Sequence, residues 1–428
     1  MKYSSSVRRI ELANGTRVIV DPAPGFRSAA VLVALNGGSR DELPHQIGLT
    51  HLLEHLLFKR TSNLSPRDIA NRIDELGGRI NASTDVDSLC LYGNVQCTDV
   101  ESLLFFFSQL LRDPQFTERD LKLEKEIIRQ EILETEDDSL AVTFREFNER
   151  FWPSATLGMP VFGYPEVLAE FNSGDVKARL NDLLVGTRII VCVAGAVNVD
   201  SVLSQIEDLF GSLPRGASRE VQTPTTGSGV FIVPKPVSQT HLVIGQRWTS
   251  LRDADYLAGL VVATVLGDGM SSRLFRSLRE SHGLAYDVSS SVDSYADTGV
   301  LLNCVTLEKR NVEFAQKLLL AEVTLLKQDF LQDDEFTRTI KMMVAQVEMQ
   351  HDELGARTWR ALETEILFGR CISIDEIVDR LKALSMNDVR AVIDQRLLVE
   401  HGLMVLGGDV DKTSVIPELQ NLCGETSM

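Results

Sequence analysis

The chain has 428 residues, of which 44% are hydrophobic and 24% charged, and its net charge at pH 7 is −18. This length implies roughly two to three domains and excludes a small disulfide-stapled protein, and the composition excludes wholesale disorder. An acidic surface repels phosphate backbones and anionic lipid, so nucleic acid and membranes are poor partners, whereas a basic peptide would be attracted.

Cysteine usage and apolar segments predict a cytoplasmic protein. The six cysteines form no CxxC pair, which argues against a thiolate zinc site and fits a reducing compartment. The first fifteen residues carry four charges and no apolar core, so we expect no secretory signal. The uncharged apolar run from Tyr256 to Leu266 has 11 residues, which is too short to cross a bilayer.

The first half of the chain mixes strand and helix patterns. An Asn-Gly pair between alternating segments is typical of a β-hairpin, and Ser65-Pro66 is typical of a helix start. In chain order, the predicted elements are a hairpin at Asn14-Gly15, a strand at 28–35, helices at about 46–58 and 66–76, two strands within 79–96, and helices at 100–111 and 117–133. Meandering strands with long helices predict an α+β fold.

The second half of the chain repeats the first. Residues 214–229 are rich in Pro, Gly, Ser and Thr and lack an apolar period, so they predict a linker between domains at 1–213 and 230–428. HLVIGQRW from His241 matches the strand at 29, and YLAGLVVATVLGDG from Tyr256 matches HQIGLTHLLEHLLF from His45. We therefore predict two homologous α/β-sandwich domains that arose by internal duplication.

The two copies of the repeated helix differ in chemistry. Alignment of Gly48-Leu49 with Gly259-Leu260 sets one polar group of residues opposite one apolar group. The polar group is His51, Glu54 and His55, and the apolar group is Val262, Val265 and Leu266. A single active site on a duplicated scaffold would have this pattern.

The segment HLLEH at 51–55 has the spacing of a metal site. His51 and His55 project from one helix face a turn apart, so both imidazoles can reach one ion, and Glu54 shares that face. Two imidazoles with a nearby carboxylate suit zinc, and a catalytic zinc needs a third protein ligand.

The helix predicted at 117–133 offers candidates for that third ligand. Its segment LKLEKEIIRQEILETE, at 121–136, offers Glu124, Glu126, Glu131 and Glu134, and spacing alone leaves the choice among the four open. Glu124 and Glu131 are seven residues apart and share a face, so one can ligate while the other orients a ligand.

HLLEH reverses the thermolysin-type HExxH order and is the pattern of the inverzincins. The chain resembles the pitrilysin and insulin-degrading-enzyme family, and its length is similar to that of the short subunits of the mitochondrial-processing-peptidase type. The resemblance implies that the third zinc ligand, about 76 residues after His55, is Glu131 and that Glu124 supports the histidine. It also implies that Asn81 and Ala82, within GGRINAST, lie on a strand edge beside the substrate.

A second motif of the same resemblance is GMSSRLFRSLRESHGLAY at 269–286. It implies that Arg279 and Tyr286 grip the substrate backbone and help to polarise the scissile carbonyl. Glu54 would then be the general base, and the cofactor would be one Zn²⁺ per chain. Arg60 and Leu89 depart from the family's usual Gly and Thr near the expected cleft, so we expect them to affect substrate preference more than chemistry.

The implied function is a zinc-dependent endopeptidase or oligopeptidase that hydrolyses peptides inside a closed chamber. The chain would be half of a clamshell, completed as a homodimer or as a heterodimer with a homologous chain. One alternative is a leader-peptide processing subunit for a ribosomally made peptide, working with a degenerate partner chain. Another is a non-catalytic structural subunit, against which the presence of His51, His55 and Glu131 argues.

Overall fold

The computed structural model describes residues 7–153, 155–397, 402–419 and 426–427. Residues 1–6, where we predict no secretory signal, and Cys423 lie outside these ranges. The chain forms two compact units whose segments interleave along the sequence. Unit 1 comprises Met1–Ile132, Met159–Val221 and Val347–Ile377, and unit 2 comprises Leu133–Gly158, Gln222–Gln346 and Val378–Met428. The domain boundaries predicted at 213 and 230 stay a prediction.

Helices occupy much of the described chain. They are α1 (Leu49–Leu57), α2 (Pro66–Leu76), α3 (Val100–Arg112), α4 (Glu118–Asp137), α5 (Ser139–Phe151), α6 (Pro165–Glu170), α7 (Ser173–Leu183), α8 (Val199–Phe210), α9 (Tyr256–Gly267), α10 (Val312–Gln328), α11 (Asp333–Gln350), α12 (Leu354–Phe368), α13 (Ile374–Ala383) and α14 (Met386–Arg396). In the same described part, no helix combines the length and apolar composition needed to span a bilayer.

The described strands of unit 1 form one mixed sheet. They are β1 (Arg8–Glu11), β2 (Arg17–Pro22), β3 (Ser28–Leu35), β4 (Arg79–Thr84), β5 (Leu89–Gln96) and β6 (Ile189–Gly195), in the order β1-β2-β6-β3-β5-β4. β2 and β6 run parallel, and the other neighbours are antiparallel. β4 is therefore an edge strand of this sheet.

Helices cover both faces of the unit 1 sheet, which explains why the sequence of β3 is almost entirely apolar. Val31 and Val33 point into a core shared with α1, α3 and α8. Leu32 and Ala34 point to the opposite face, where α12 packs over them. Successive strand residues alternate between faces, so SAAVLVAL has an apolar partner on each side.

Two ion pairs with buried carboxylates hold α12 on unit 1. Arg357 donates from Nε and Nη2 to both oxygens of Asp21, at 2.7 and 2.6 Å. Arg9 donates to both oxygens of Glu365 at 2.8 Å, and the Glu365 side chain is fully buried. Paired two-point contacts of this kind fix orientation as well as distance.

The sheet of unit 2 repeats the strand order of unit 1. Its described strands are β7 (Gly229–Pro234), β8 (Thr240–Arg247), β9 (Ala285–Ser294), β10 (Gly299–Leu307), β11 (Leu403–Gly408) and β12 (Thr426–Ser427), in the order β12-β7-β11-β8-β10-β9. β7, β11, β8, β10 and β9 correspond to β2, β6, β3, β5 and β4, and their pairing directions match. The predicted α+β duplication is thereby confirmed.

Most of the predicted elements of the first half are confirmed, and two helices differ in length. The hairpin, β3 and α2 lie where the sequence predicts them. The helix expected over 46–58 begins only at Leu49, because Gly48 has a φ of +94° and cannot continue a right-handed helix backwards. The helix expected to end near Leu133 continues to Asp137.

Candidate metal centre

Helix α1 turns an apolar face to the core and a polar face to the candidate metal site. Its buried side chains include Leu49, Leu52, Leu53, Leu56 and Leu57. His51, Glu54 and His55 lie on the other face and are half-buried. The leucine contacts therefore fix the rotation of the helix about its axis, and with it the direction of the three polar side chains.

Glu131 on α4 meets the two histidines of α1. Its Oε2 lies 3.9 Å from Nε2 of His51 and 3.6 Å from Nε2 of His55. One ligand atom from each of the three residues lies within 4.8 Å of the others, and the imidazole centroids are 4.7 Å apart. In a tetrahedral zinc site, ligand atoms about 2.0–2.2 Å from the ion lie roughly 3.3–3.6 Å apart. The spacing fits such a site after small side-chain movements.

His51 is in the state that a metal ligand requires. Burial, followed by the like charge of His55, lowers the pKa of His51 to about 4, so the imidazole is neutral at pH 7. Its Nδ1 is buried without a hydrogen-bond partner among the described residues, and its Nε2 is beyond hydrogen-bond distance of Glu131. Because an unpaired buried imidazole is costly, the donor set of this site fits a bound cation.

His55 is oriented by a buried carboxylate. Its Nδ1 lies 3.1 Å from Oε2 of Glu124, and Nζ of Lys59 lies 2.9 Å from Oε1. Burial acts to raise the pKa of Glu124, but the hydrogen bonds from His55 and Lys59 outweigh it and hold that pKa below its ordinary value. A carboxylate only accepts, so the proton of His55 lies on Nδ1 and leaves Nε2 to face Glu131.

Glu54 has the environment of a proton acceptor. Oγ1 of Thr84, at the end of β4, donates to its Oε2 at 2.5 Å. Burial raises the pKa of Glu54 above its ordinary value, and the Thr84 hydrogen bond only partly opposes this. A carboxyl with a raised pKa exchanges protons closer to neutral pH.

Arg60 contacts α4 on the N-terminal side of Glu124. Its Nε donates to Oδ2 of Asp120 at 3.2 Å, one helical turn before Glu124. Arg60, which stands where the resemblance leads us to expect glycine, therefore connects the segment after α1 to α4, the helix that carries Glu131.

The strand predicted to border the substrate is the edge strand β4. Asn81 is exposed and pairs with Tyr92 of β5, and Ala82 is 6% exposed. Oδ1 of Asn81 accepts a hydrogen bond from the N–H of Ala82 at 2.9 Å. Among the described strands, β4 has a neighbour on one side only, so its other edge can pair with an extended chain.

Arg279 and Tyr286 lie together in unit 2. Arg279 belongs to a π-helical segment, Phe275–Ser281, and Tyr286 is the second residue of β9. The guanidinium carbon of Arg279 is 5.0 Å from the ring centroid of Phe275 and 5.4 Å from that of Tyr286. Tyr286 is 77% exposed, so its hydroxyl is open to a ligand.

Helix α9 of unit 2 lacks the polar set of α1. The residues aligned with the HLLEH positions, Val262, Val265 and Leu266, are all at most 3% exposed. Among the described residues, His51, His55 and Glu131 are the group with metal-site spacing, and they belong to unit 1.

Comparison with known proteins places the chain in a family. Residues 17–164 match insulinase (peptidase family M16), and residues 170–343 match the peptidase M16 inactive domain. A Streptomyces coelicolor protein named an uncharacterized zinc protease is 30% identical over 416 residues, covering 95% of this chain and 91% of that protein. The chain belongs to the M16 peptidase family. The resemblance to the pitrilysin and insulin-degrading-enzyme family is thereby confirmed, whereas the short-subunit type stays a prediction.

Other relatives of this M16 chain agree. A Bacillus subtilis protein named an uncharacterized zinc protease, YmxG, is 28% identical over 401 residues, covering 94% of this chain and 98% of that protein. A crystal structure of a Helicobacter pylori protease matches with a TM-score of 0.86 at 20% identity, covering 94% of this chain and 99% of that one. The first supports a zinc-dependent peptidase at the level of the family, and the second shows the fold.

The sequence analysis does not single out two residues that contact the candidate metal site. Lys59 and Thr84 carry no motif that points to Glu124 or Glu54, because their partners are distant in sequence. Lys59 follows α1 by two residues and Thr84 ends the strand of Asn81. The signal that could have pointed to these two residues is their position in the chain: Lys59 follows HLLEH closely, and Thr84 ends the GGRINAST segment.

Proposed function

We propose that the chain is a zinc-dependent endopeptidase or oligopeptidase with one Zn²⁺ per chain, held by His51, His55 and Glu131. The observation that carries the proposal is that ligand atoms of these three side chains lie within 4.8 Å of one another. Glu54 lies beside them, on the same helix as the two histidines. Two imidazole nitrogens and one carboxylate are a donor set typical of catalytic zinc.

Each residue has a separate task in peptide hydrolysis. When bound, Zn²⁺ acts as a Lewis acid that polarises a carbonyl and lowers the pKa of water. Glu54 accepts the proton of the attacking water and later delivers it to the leaving amine. The Thr84 hydroxyl holds Oε2 of Glu54, which leaves Oε1 to carry the proton. Glu124 keeps the Nδ1 proton of His55 in place throughout.

Substrate handling uses the β4 edge and the arginine–tyrosine pair. An extended peptide would add to β4 beside Asn81 and Ala82, with main-chain hydrogen bonds that tolerate many sequences. Arg279 and the Tyr286 hydroxyl would contact the substrate backbone and stabilise the developing oxyanion. We propose that two chains pair as a homodimer, which encloses the peptide in a chamber.

A heterodimer in which this chain processes leader peptides with a degenerate partner is the second candidate. The observation in its favour is that residues 170–343 match a domain described as inactive, so this fold also occurs without a working site, as a degenerate partner chain would require. A purely structural subunit is disfavoured, because both histidines and three supporting contacts, from Glu124, Lys59 and Thr84, are retained.

The proposed base is tested by Glu54→Gln. This variant should bind zinc like the wild type and lose about 10²–10⁴-fold in kcat on a mixed peptide library, because proton transfer fails while the ligands remain. Glu134→Gln, a change of the same kind at an exposed position of α4, should retain both zinc and activity. Hydrolysis by Glu54→Gln at a near wild-type rate would remove Glu54 from the base role.

A further inference from the structure

The first turn of α1 needs an acceptor from outside the helix. Its N-cap is Gly48, which has no side chain to receive the free N–H groups at the helix start. A Cβ at this position would lie 2.7 Å from the carbonyl oxygen of Phe162, and φ is +94°, so a capping residue such as Ser or Asp does not fit.

Glu42 supplies that acceptor from the preceding loop. Its Oε2 accepts the Gly48 N–H at 2.9 Å, and its Oε1 accepts both the N–H and the hydroxyl of Thr50 at 2.5 Å. Glu42 is 4% exposed and Thr50 is fully buried. A carboxylate at this end of a helix also meets the positive end of the helix dipole.

Arg179 of α7 completes the network. Its Nε donates to Oγ1 of Thr50 at 2.9 Å, and its Nη2 donates to the carbonyl of Gly38 at 2.8 Å. Arg179 is 8% exposed, so the network buries an acidic and a basic side chain around one threonine. Removal of one member of such a network leaves another buried polar group without its partner, so the network favours one arrangement of its members.

The network ends one residue before a proposed zinc ligand. Thr50 is followed directly by His51, and the contact with Glu131 depends on where the first turn of α1 places the His51 ring. Zinc sites require ligand distances within about 0.2 Å of their ideal values, so a small shift of this turn weakens binding.

We propose that Glu42 is a positioning residue for the metal site, setting the first turn of α1 through Gly48 and Thr50 so that His51 meets His55 and Glu131. The inference rests on the proposed zinc function. Glu42 contacts no ligand side chain, and it acts through the backbone of the helix.

Glu42→Gln tests the inference with almost no change of shape. A glutamine offers one carbonyl oxygen, so the N–H of either Gly48 or Thr50 would face the NH₂ group and lose its acceptor. The zinc dissociation constant should rise on the order of tenfold. We would measure it by competition with a chromophoric chelator, and would record the visible absorption of the Co²⁺-loaded protein as a report on ligand geometry.

Asp21→Asn is the matched control. It makes the same carboxylate-to-amide change at a buried salt bridge of unit 1, with Arg357, in a contact that does not involve α1. This control should lower the melting temperature and leave the zinc dissociation constant of the folded protein unchanged. A second pair of variants tests the same network if Glu42→Gln does not fold. Thr50→Val, which removes the hydroxyl that contacts Glu42 and Arg179, should weaken zinc binding. Thr50→Ser keeps that hydroxyl and should bind zinc like the wild type.

The outcomes separate this inference from the proposed function. If Glu42→Gln melts at a lower temperature but binds zinc and Co²⁺ like the wild type, Glu42 is merely structural and the inference is wrong. If the wild type itself binds no zinc, the proposed function fails instead. Weaker binding in Glu42→Gln and Thr50→Val, with unchanged binding in Asp21→Asn and Thr50→Ser, supports the positioning role.

Discussion

Replacement of Glu124 by glutamine should weaken zinc binding through the orientation of His55. Glu124 is 1% exposed and receives two donors, Nδ1 of His55 at 3.1 Å and Nζ of Lys59 at 2.9 Å. An amide has one acceptor oxygen, so at least one of these donors loses its partner. A lost hydrogen bond to a charged group costs about 1.5–3 kcal/mol, which corresponds to about a 10- to 100-fold rise in the zinc dissociation constant.

The assay is chelator competition on the purified wild type, Glu124→Gln and Glu126→Gln. Glu126 lies on the same helix, but its side chain is 57% exposed and pairs with Arg129. The Glu126 variant should therefore bind zinc like the wild type, because a surface ion pair contributes little. Equal zinc affinity in Glu124→Gln and the wild type would refute the assigned role of Glu124.

Two further predictions concern assembly and stability. Mixing Glu54→Gln with an Arg279→Ala, Tyr286→Phe double variant should restore about a quarter of wild-type activity if paired chains complete each other's sites, since half the dimers are mixed and each has one intact site of two. No restoration under proven subunit exchange would contradict that pairing. Asp21→Asn leaves the buried Arg357 without its counter-charge and with one acceptor fewer, so it should destabilise unit 1 by about 3–5 kcal/mol, seen as a melting temperature lower by roughly 6–20 °C. An unchanged melting temperature would show that this ion pair does not hold α12.

The sequence predicts elements best where a local rule is sufficient. The Asn14-Gly15 hairpin and the α2 boundaries follow from turn and capping chemistry, and the Ser65 side chain does accept the Asp68 N–H. The start of α1 differs from the prediction because Gly48 has a left-handed φ of +94°, and its close neighbour Phe162 is distant in sequence.

In the candidate site, too, the residues that are close in sequence could be predicted and those that are distant in sequence could not. The i,i+4 spacing of His51 and His55 on one helix is local, so the sequence alone brings them together. Spacing left four glutamates of α4 open as the third ligand, and the fold directs Glu131 towards both imidazoles. The Thr50–Arg179 contact joins residues 129 positions apart, and no periodicity in a single sequence encodes such a pair.

The zinc content of the purified protein tests the proposed metal ligands directly. Elemental analysis after identical dialysis should find one zinc per wild-type chain and almost none in Glu131→Gln, because two imidazoles alone leave a catalytic site one ligand short. A wild-type chain without zinc, or a Glu131→Gln chain that keeps a full equivalent, would contradict the assignment of His51, His55 and Glu131 as the metal ligands.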